Sequence, residues 1–311
     1  MVHNTIIITM KISRRNFINT TIAGTAGLLI GKPLVSACNN NPLPEDPFAL
    51  VPLGKTGIKV SLISAGTGHN GGNRQSNMTR MGADKFGKVL NHEFDRGIRF
   101  FDCADTYGTH PFVAEIFRLI PRDKYILSSK IWFHSGGIPE EGRPDADVVV
   151  NRFLKELHTD YLDMVLFHCM MTGDWPEKFE KQMEILARLK EKGIIRAHGV
   201  SIHSLDALRA CISNPWVDTV HVRINAFGTA MDDDDPAKVA EIIKTLHDEG
   251  KGIIGMKLIG NGAFMNDPEK IDKSISYVLG LGAVDTLNIG FEKPEEIDDY
   301  ASRVERVLVS S

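Results

Sequence analysis

From residue 60 to residue 291 the chain repeats one pattern eight times: a short β-rich apolar run, then a stretch with helical periodicity. The runs are VSLISAG (60–66), RFFDCAD (99–105), YILSSKI (125–131), YLDMVLFHC (161–169), IRAHGVSI (195–202), VDTVHVRIN (217–225), GIIGMKLIG (252–260) and VDTLNIGF (284–291). Near-continuous apolar character is what a parallel strand covered on both faces requires. The intervening stretches carry apolar residues at spacings of three and four, as in WPEKFEKQMEILARLKEKG (175–193), the mark of an amphipathic helix. That segment ends in Lys192-Gly193, and PAKVAEIIKTLHDEG (236–250) opens with Pro and closes with Gly, the usual start and stop residues of helices. Eight strand–helix units predict a (β/α)8 TIM barrel, an α/β fold, rather than an open doubly wound sheet. The glycine run Gly66–Gly72 lacks GxGxxG spacing and no helix follows it at once, which disfavours a Rossmann fold. Ahead of the barrel, ALVPLGKTGIKV (49–60) reads as two short strands around Lys55-Thr56-Gly57. This N-terminal β-hairpin is placed to plug the barrel floor.

Charge narrows the partners. A net charge of −4 gives no basic field for nucleic acid. The run Asp232–Asp235 precedes a helical pattern and reads as a solvated helix cap, not a metal site. No CxxC, HxH or HExxH spacing occurs, so no metal is expected. Cys103, Cys169 and Cys211 read as buried free thiols.

A barrel directs chemistry to the C-terminal ends of its strands. The polar residues there are Asp102, Asp105, Lys130, His168, Ser201, His203, Asn225 and Lys257, which would converge on one mouth. The motifs PLGKTGIKVS, FFDCADTYG, LSSKIW, LDMVLFHC, GVSIHS and GMKLIGNG resemble, in order, those of the aldo-keto reductase family. The resemblance covers nearly all of residues 48–311 and implies an NAD(P)-dependent oxidoreductase. Such an enzyme interconverts an aldehyde or ketone, sugar-derived ones among them, with an alcohol. Asp102, Tyr107, Lys130 and His168 match the family's catalytic tetrad. Reduction needs hydride at carbon and a proton at oxygen. A free phenol titrates at about pH 10, so Tyr107 is expected to be tuned downward by the Lys130 ammonium. Asp102 would hold that ammonium charged and oriented, since an isolated buried ammonium is costly. His168 would orient the carbonyl.

The resemblance also implies a cofactor, NADP or NAD, tightly held. Ser201 matches a carboxamide-holding serine, but Ile202 stands where the family has Asn, and His203 follows. His221 falls where the family has Gln, with Asn225 beyond it; a core histidine is the rival reading for His221. Lys257, Gly260 and Gly262 suit the phosphate loop after strand seven. Lys293, in Gly290-Phe291-Glu292-Lys293, falls where the family often supplies an Arg for the 2′-phosphate. Trp132, Phe133 and Trp175 are the expected substrate-pocket aromatics, with core packing an equal reading for Phe133 and Trp175. The family's long C-terminal specificity loop is expected to be absent.

The N-terminus differs in kind. MKISRRNFINTTIAGTAGLLIGKPLVSAC starts at Met10, and residues 1–9 read as an upstream start. Ser13-Arg14-Arg15-Asn16-Phe17 resembles the twin-arginine export signal. Val35-Ser36-Ala37-Cys38 resembles a lipobox, with Cys38 lipidated. Residues 1–38 thus read as a signal and 39–47 (NNNPLPEDP) as a flexible tether. The implied partners are the twin-arginine machinery and, through the lipid, a membrane; the implied location is periplasmic or cell-surface. An uncleaved anchor helix is the rival. Two other functions compete with the reductase: a metal-dependent barrel hydrolase or isomerase built on Asp102, His168, His198, His203 and His221, and a binding barrel that has lost catalysis.

Overall fold

The computed structural model describes residues 44–310. Residues 1–38, read above as a signal with Cys38, and residues 39–43 of the expected tether lie outside the described residues. Strands β1 (Leu50–Pro52) and β2 (Lys59–Ser61) pair antiparallel. From this hairpin Leu53, Ile58 and Val60 form one buried cluster with Phe100, Met164, Ala197 and Ile254, so the hairpin plugs the barrel interior from below. Gly54, at φ +49, packs so closely that a Cβ would stand 2.4 Å from the Gly252 nitrogen.

The barrel strands are β3 (Ile63–Gly66), β4 (Phe100–Asp102), β5 (Ile126–Ile131) and β6 (Leu162–Met170), then β7 (Ile195–Ile202), β8 (Thr219–Arg223), β9 (Gly252–Met256) and β10 (Thr286–Ile289). All eight run parallel and close in sequence order, β10 pairing with β3. The first expected strand, 60–66, is divided in the structure. Its start belongs to the hairpin and its end to the barrel wall, with Leu62 between them. Period-two alternation sorts the side chains: Phe100 joins the interior cluster, while Phe101 and Cys103 pack under the helices.

The outer layer comprises α1 (Asn77–Arg80), α2 (Ala83–Arg96), α3 (His110–Phe117), α4 (Ala146–Glu156), α5 (Trp175–Lys178), α6 (Glu180–Glu191), α7 (Leu205–Arg209), α8 (Pro236–Asp248), α9 (Pro268–Gly280) and α10 (Pro294–Ser310). The helix expected over 175–193 is two helices. The chain leaves helical geometry at Phe179 (φ −113, ψ 18), whose ring packs on Phe133 and Phe167.

Candidate active site

Register sets the innermost part of the site. Asp102 ends β4 opposite Ser128 of β5, and Lys130 lies two residues further up the same face. Lys130 Nζ donates to both Asp102 oxygens at 2.6 Å and to the Cys103 carbonyl at 3.0 Å. Ser128 Oγ donates to Asp102 Oδ1 at 2.7 Å, and Asn288 Nδ2 to Oδ2 at 3.1 Å. Asp102 and Lys130 are 3% and 1% exposed, so each ion depends on the other and on these neutral donors. Burial alone would push the Asp102 carboxyl up, but Lys130, His221 and Ser128 outweigh it and hold the group below its usual value.

After β4 the chain extends through Ala104, makes a 3₁₀ turn over Asp105–Tyr107 and closes at Gly108 (φ 69, ψ 15). Gly108 is required twice: by its left-handed backbone, and because a Cβ would stand 1.9 Å from the Arg74 carbonyl oxygen. Asp105 is buried and anchored to Arg152 of α4 at 2.8 Å. This turn swings Tyr107 over the mouth, where the loop after β3 cradles it. A Cβ on Gly68 would meet the ring at 2.1 Å, and one on Gly71 at 2.5 Å. The glycine run that fails as a Rossmann fingerprint is therefore the seat of the phenol.

Tyr107 Oη lies 3.4 Å from His168 Nε2, the two rings edge-to-face with centroids 5.5 Å apart. His168 Nδ1 is buried and has no hydrogen-bond partner. An orphaned buried N–H is rarer than an orphaned acceptor, which favours the tautomer carrying its proton on Nε2, aimed at the mouth. Burial, with Lys130 next, pushes His168 well below its ordinary value, so the imidazole is neutral. Burial and then the Asp102 carboxylate push Tyr107 well above the ordinary phenol value. This reverses the downward tuning expected from Lys130. The ammonium is 5.1 Å from the ring centroid and engaged by Asp102, whose negative charge opposes phenolate. The site holds a protonated phenol.

A continuous cleft leads from this group toward α10, lined by Gly66, Gly68, Asp102 and Tyr107 at one end and by Glu292, Glu296, Asp299 and Arg303 at the other. Lys257 and Gly262 line its middle. Lys257 donates to Asn261 Oδ1 at 2.8 Å, and its backbone is left-handed (φ 63). Gly260 (φ +60) is buried beneath this loop, where a Cβ would strike the Phe264 ring at 2.8 Å. Asn288 lines the cleft, and its Oδ1 is buried without a partner.

The other expected cofactor residues fall elsewhere. Ser201 is buried on β7 beside His221 of β8 and does not line the cleft. His221 is fully buried with both ring nitrogens unpartnered and Nε2 3.8 Å from Asp102 Oδ1; burial lowers it to about 3. It lies beside the ion pair and does not line the cleft. His203 Nε2 stands 3.3 Å from Cys169 Sγ, and burial lowers it to about 3. Asn225 is corrected to a structural role: Nδ2 donates to the Thr229 and Lys257 carbonyls, and Oδ1 accepts from Phe227 N–H. Lys293 is exposed and does not line the cleft. Cys103 and Cys211 are buried free thiols as expected; Cys169 is only half-buried, at φ 60.

Of the aromatics, Trp132 stands at the mouth, edge-on to His168 with centroids 5.2 Å apart. Trp175 is corrected to core. It is 1% exposed, donates to the Ala207 carbonyl at 3.1 Å and packs on Phe167 and Trp216. Phe133 stacks on Phe179 and joins the same core. The histidines of the metal reading are dispersed. His198 stacks flat on Trp216 at 4.4 Å, beneath the helices and away from the mouth. Among the described residues no three His, Cys, Asp or Glu side chains stand close enough to hold a metal ion. Sequence reasoning missed Ser128, Asn288, and the Gly68–Gly71 cradle. The first two reach Asp102 through the register between strands, which the sequence does not display.

The fold and site define a (β/α)8 barrel with a neutral phenol and imidazole beside a buried Asp102–Lys130 ion pair at its C-terminal mouth, opening onto a long cleft. The chain belongs to the aldo/keto reductase family, whose model matches residues 62–288. It is 26% identical over 183 residues to "Probable aldo-keto reductase 1" of Glycine max, covering 57% of this chain and 50% of that protein. The chain thus spans about half the length of the curated relatives it matches. Among solved structures, the holo form of an aldo-keto reductase from Bacillus halodurans superposes with a TM-score of 0.65 at 16% identity, covering 85% of this chain and 96% of that one. An aldo/keto reductase from Klebsiella pneumoniae, solved with NADP and acetate, gives a TM-score of 0.55 at 18% identity, covering 83% and 89%. At these identities the likeness to solved structures establishes the fold.

Proposed function

We propose that the protein is an NAD(P)-dependent oxidoreductase that interconverts a small-molecule aldehyde or ketone with its alcohol. One observation carries this reading: Tyr107 Oη sits 3.4 Å from His168 Nε2, beside the Asp102–Lys130 pair, at the inner end of the cleft. The cleft suits a dinucleotide. The unpartnered Asn288 Oδ1 is an acceptor for an amide N–H, and Lys257 with the Gly262 loop suits phosphates. A nicotinamide held in this cleft would supply the hydride that reduces the carbonyl carbon. Tyr107 donates its proton to the carbonyl oxygen as charge develops there. His168, neutral and donating from Nε2, orients that oxygen. Lys130, 5.1 Å from the ring centroid and bound to both Asp102 oxygens, packs beneath the phenol and positions it. Asp102, with Ser128 and Asn288, fixes Lys130 in place. Trp132 forms one wall for the substrate.

The test is spectrophotometric: reduced nicotinamide with the purified protein, then a panel of aldehydes and ketones. Carbonyl-dependent oxidation that Tyr107→Phe abolishes supports the reading. Ligand binding with identical, negligible turnover in both proteins would leave a binding barrel as the correct account.

For residues 1–38 we propose twin-arginine export and lipidation at Cys38, leaving the barrel periplasmic or cell-surface. The support is the Ser13–Phe17 and Val35–Cys38 patterns. Twin-arginine transport carries folded protein, so the cofactor would travel bound and exchange slowly. Mass analysis of the mature N-terminus tests this: a lipidated Cys38 agrees, and an intact Met10 start in a soluble fraction contradicts it.

A further inference from the structure

We infer that the α10 end of the cleft selects NAD(H) over NADP(H), because the chain's own carboxylates already fill the places a 2′-phosphate would need. The inference rests on the dinucleotide reading proposed above. With the reacting carbon at Tyr107, and the phosphates at the loop after β9, the adenosine ribose falls between that loop and the start of α10.

Three features of that end oppose a phosphate. A helix N-terminus is ordinarily an anion site, because its first N–H groups have no partners within the helix. Here the Glu292 and Lys293 N–H groups, at the entry to α10, donate to Glu296 Oε2 at 2.7 and 3.3 Å. The site is occupied by an internal anion. The guanidinium lining this end, Arg303, is likewise engaged. Its Nε donates to Asp299 Oδ2 at 2.8 Å and its Nη1 to Asp272 Oδ1 at 2.6 Å, leaving the side chain 12% exposed. Finally, Glu292, Glu296 and Asp299 all line the cleft, whereas Lys293 does not. Glu292 is held in position by His69 Nδ1 at 2.9 Å and Asn77 Nδ2 at 2.6 Å, so it does not simply swing away.

A 2′-phosphate would bring nearly two more negative charges against three carboxylates and one committed guanidinium. A 2′-hydroxyl meets the opposite situation. It donates one hydrogen bond, and carboxylates are the acceptors that nucleotide sites use for ribose hydroxyls. The same groups that repel the one therefore bind the other.

The experiment titrates NADH and NADPH separately into the purified protein by calorimetry, with no carbonyl substrate, so the readout is affinity and not turnover. NADH should bind roughly tenfold to a hundredfold more tightly than NADPH. Glu296→Gln removes the negative charge that faces the Glu292 and Lys293 N–H groups, and Asp299→Asn removes one of the two carboxylate charges on Arg303. Each should narrow the gap, mainly by tightening NADPH. Asp299 is exposed, so its variant keeps the test valid if the Glu296 variant does not fold. NADPH binding as tight as NADH overturns this inference while leaving the dinucleotide reading intact. A gap unchanged in both variants overturns the assignment to these carboxylates. If neither nucleotide binds protein that still unfolds cooperatively, the dinucleotide reading itself falls, and this inference with it.

Discussion

Replacing Gly68 with alanine would displace the phenol without touching any charged group. An alanine Cβ at this position would lie 2.1 Å from Tyr107 Cζ and 2.2 Å from Cε2, where an ordinary contact is 3.4 Å or more. The ring must therefore move by about 1.3 Å, or the loop must retreat by as much. The loop has little room to give, since Gly71 N–H donates to the Gly68 carbonyl at 2.9 Å and a Cβ on Gly71 would also strike the ring. A misplacement of about 1 Å in a reacting group costs on the order of 10²-fold in rate. Gly68→Ala should thus lower kcat by at least about 10²-fold. The residue sits in a surface loop, so the unfolding temperature should change little. The assay pairs turnover at saturating cofactor and substrate with thermal unfolding of the same samples. A variant that keeps activity within about threefold of the parent while folding normally would refute the claim that Tyr107 must stay in this seat.

Further consequences concern pH, the ion pair and the aromatics. Tyr107 is held above the ordinary phenol value and His168 below the ordinary imidazole value, so carbonyl reduction should be flat from about pH 6 to about pH 9. Alcohol oxidation, which needs the phenol deprotonated, should instead rise with pH throughout that range; pH–rate profiles in both directions check this. Lys130→Met strands a buried carboxylate and should cost about 3–5 kcal/mol in denaturant unfolding. The Asp102 contribution has the sign of a depressed carboxylate: present above an unfolded value of about 3.9 and lost as pH falls through the lower folded one. Trp175→Ala should destabilise the fold by about 3–5 kcal/mol, whereas Trp132→Ala should leave unfolding unchanged and alter KM.

The barrel was legible because parallel strands buried on both faces must be nearly continuously apolar, and all eight such runs became wall strands. Their polar ends bring Asp102, Lys130 and His168 together at one mouth, since alternation within a strand determines which residues face inward. Register between strands was not legible, and register is what brings Ser128 and Asn288 to Asp102. Burial was equally hidden. Trp175 and Phe133 follow mouth-forming strands in sequence, yet fold back into the aromatic core around Phe167. Asn225 lies at a strand end, but its amide is consumed by loop carbonyls. The direction of the Tyr107 shift failed for an electrostatic reason. Lys130 implied a lowered pKa only if its charge were unopposed, and Asp102 opposes it at 2.6 Å.

In the proposed reaction Tyr107 delivers a proton while hydride reaches the carbonyl carbon in the same cleft. Nicotinamide dinucleotide deuterated at the transferring position, incubated with the protein and an aldehyde that it reduces, tests this directly by mass spectrometry of the alcohol. One deuterium should appear on the carbinol carbon with wild-type protein. Tyr107→Phe should bind the labelled dinucleotide equally well and transfer about 10²–10⁴-fold more slowly. Label on the carbinol carbon at the same rate in both proteins would contradict the assignment of the phenol, and alcohol formed without label would contradict hydride transfer itself.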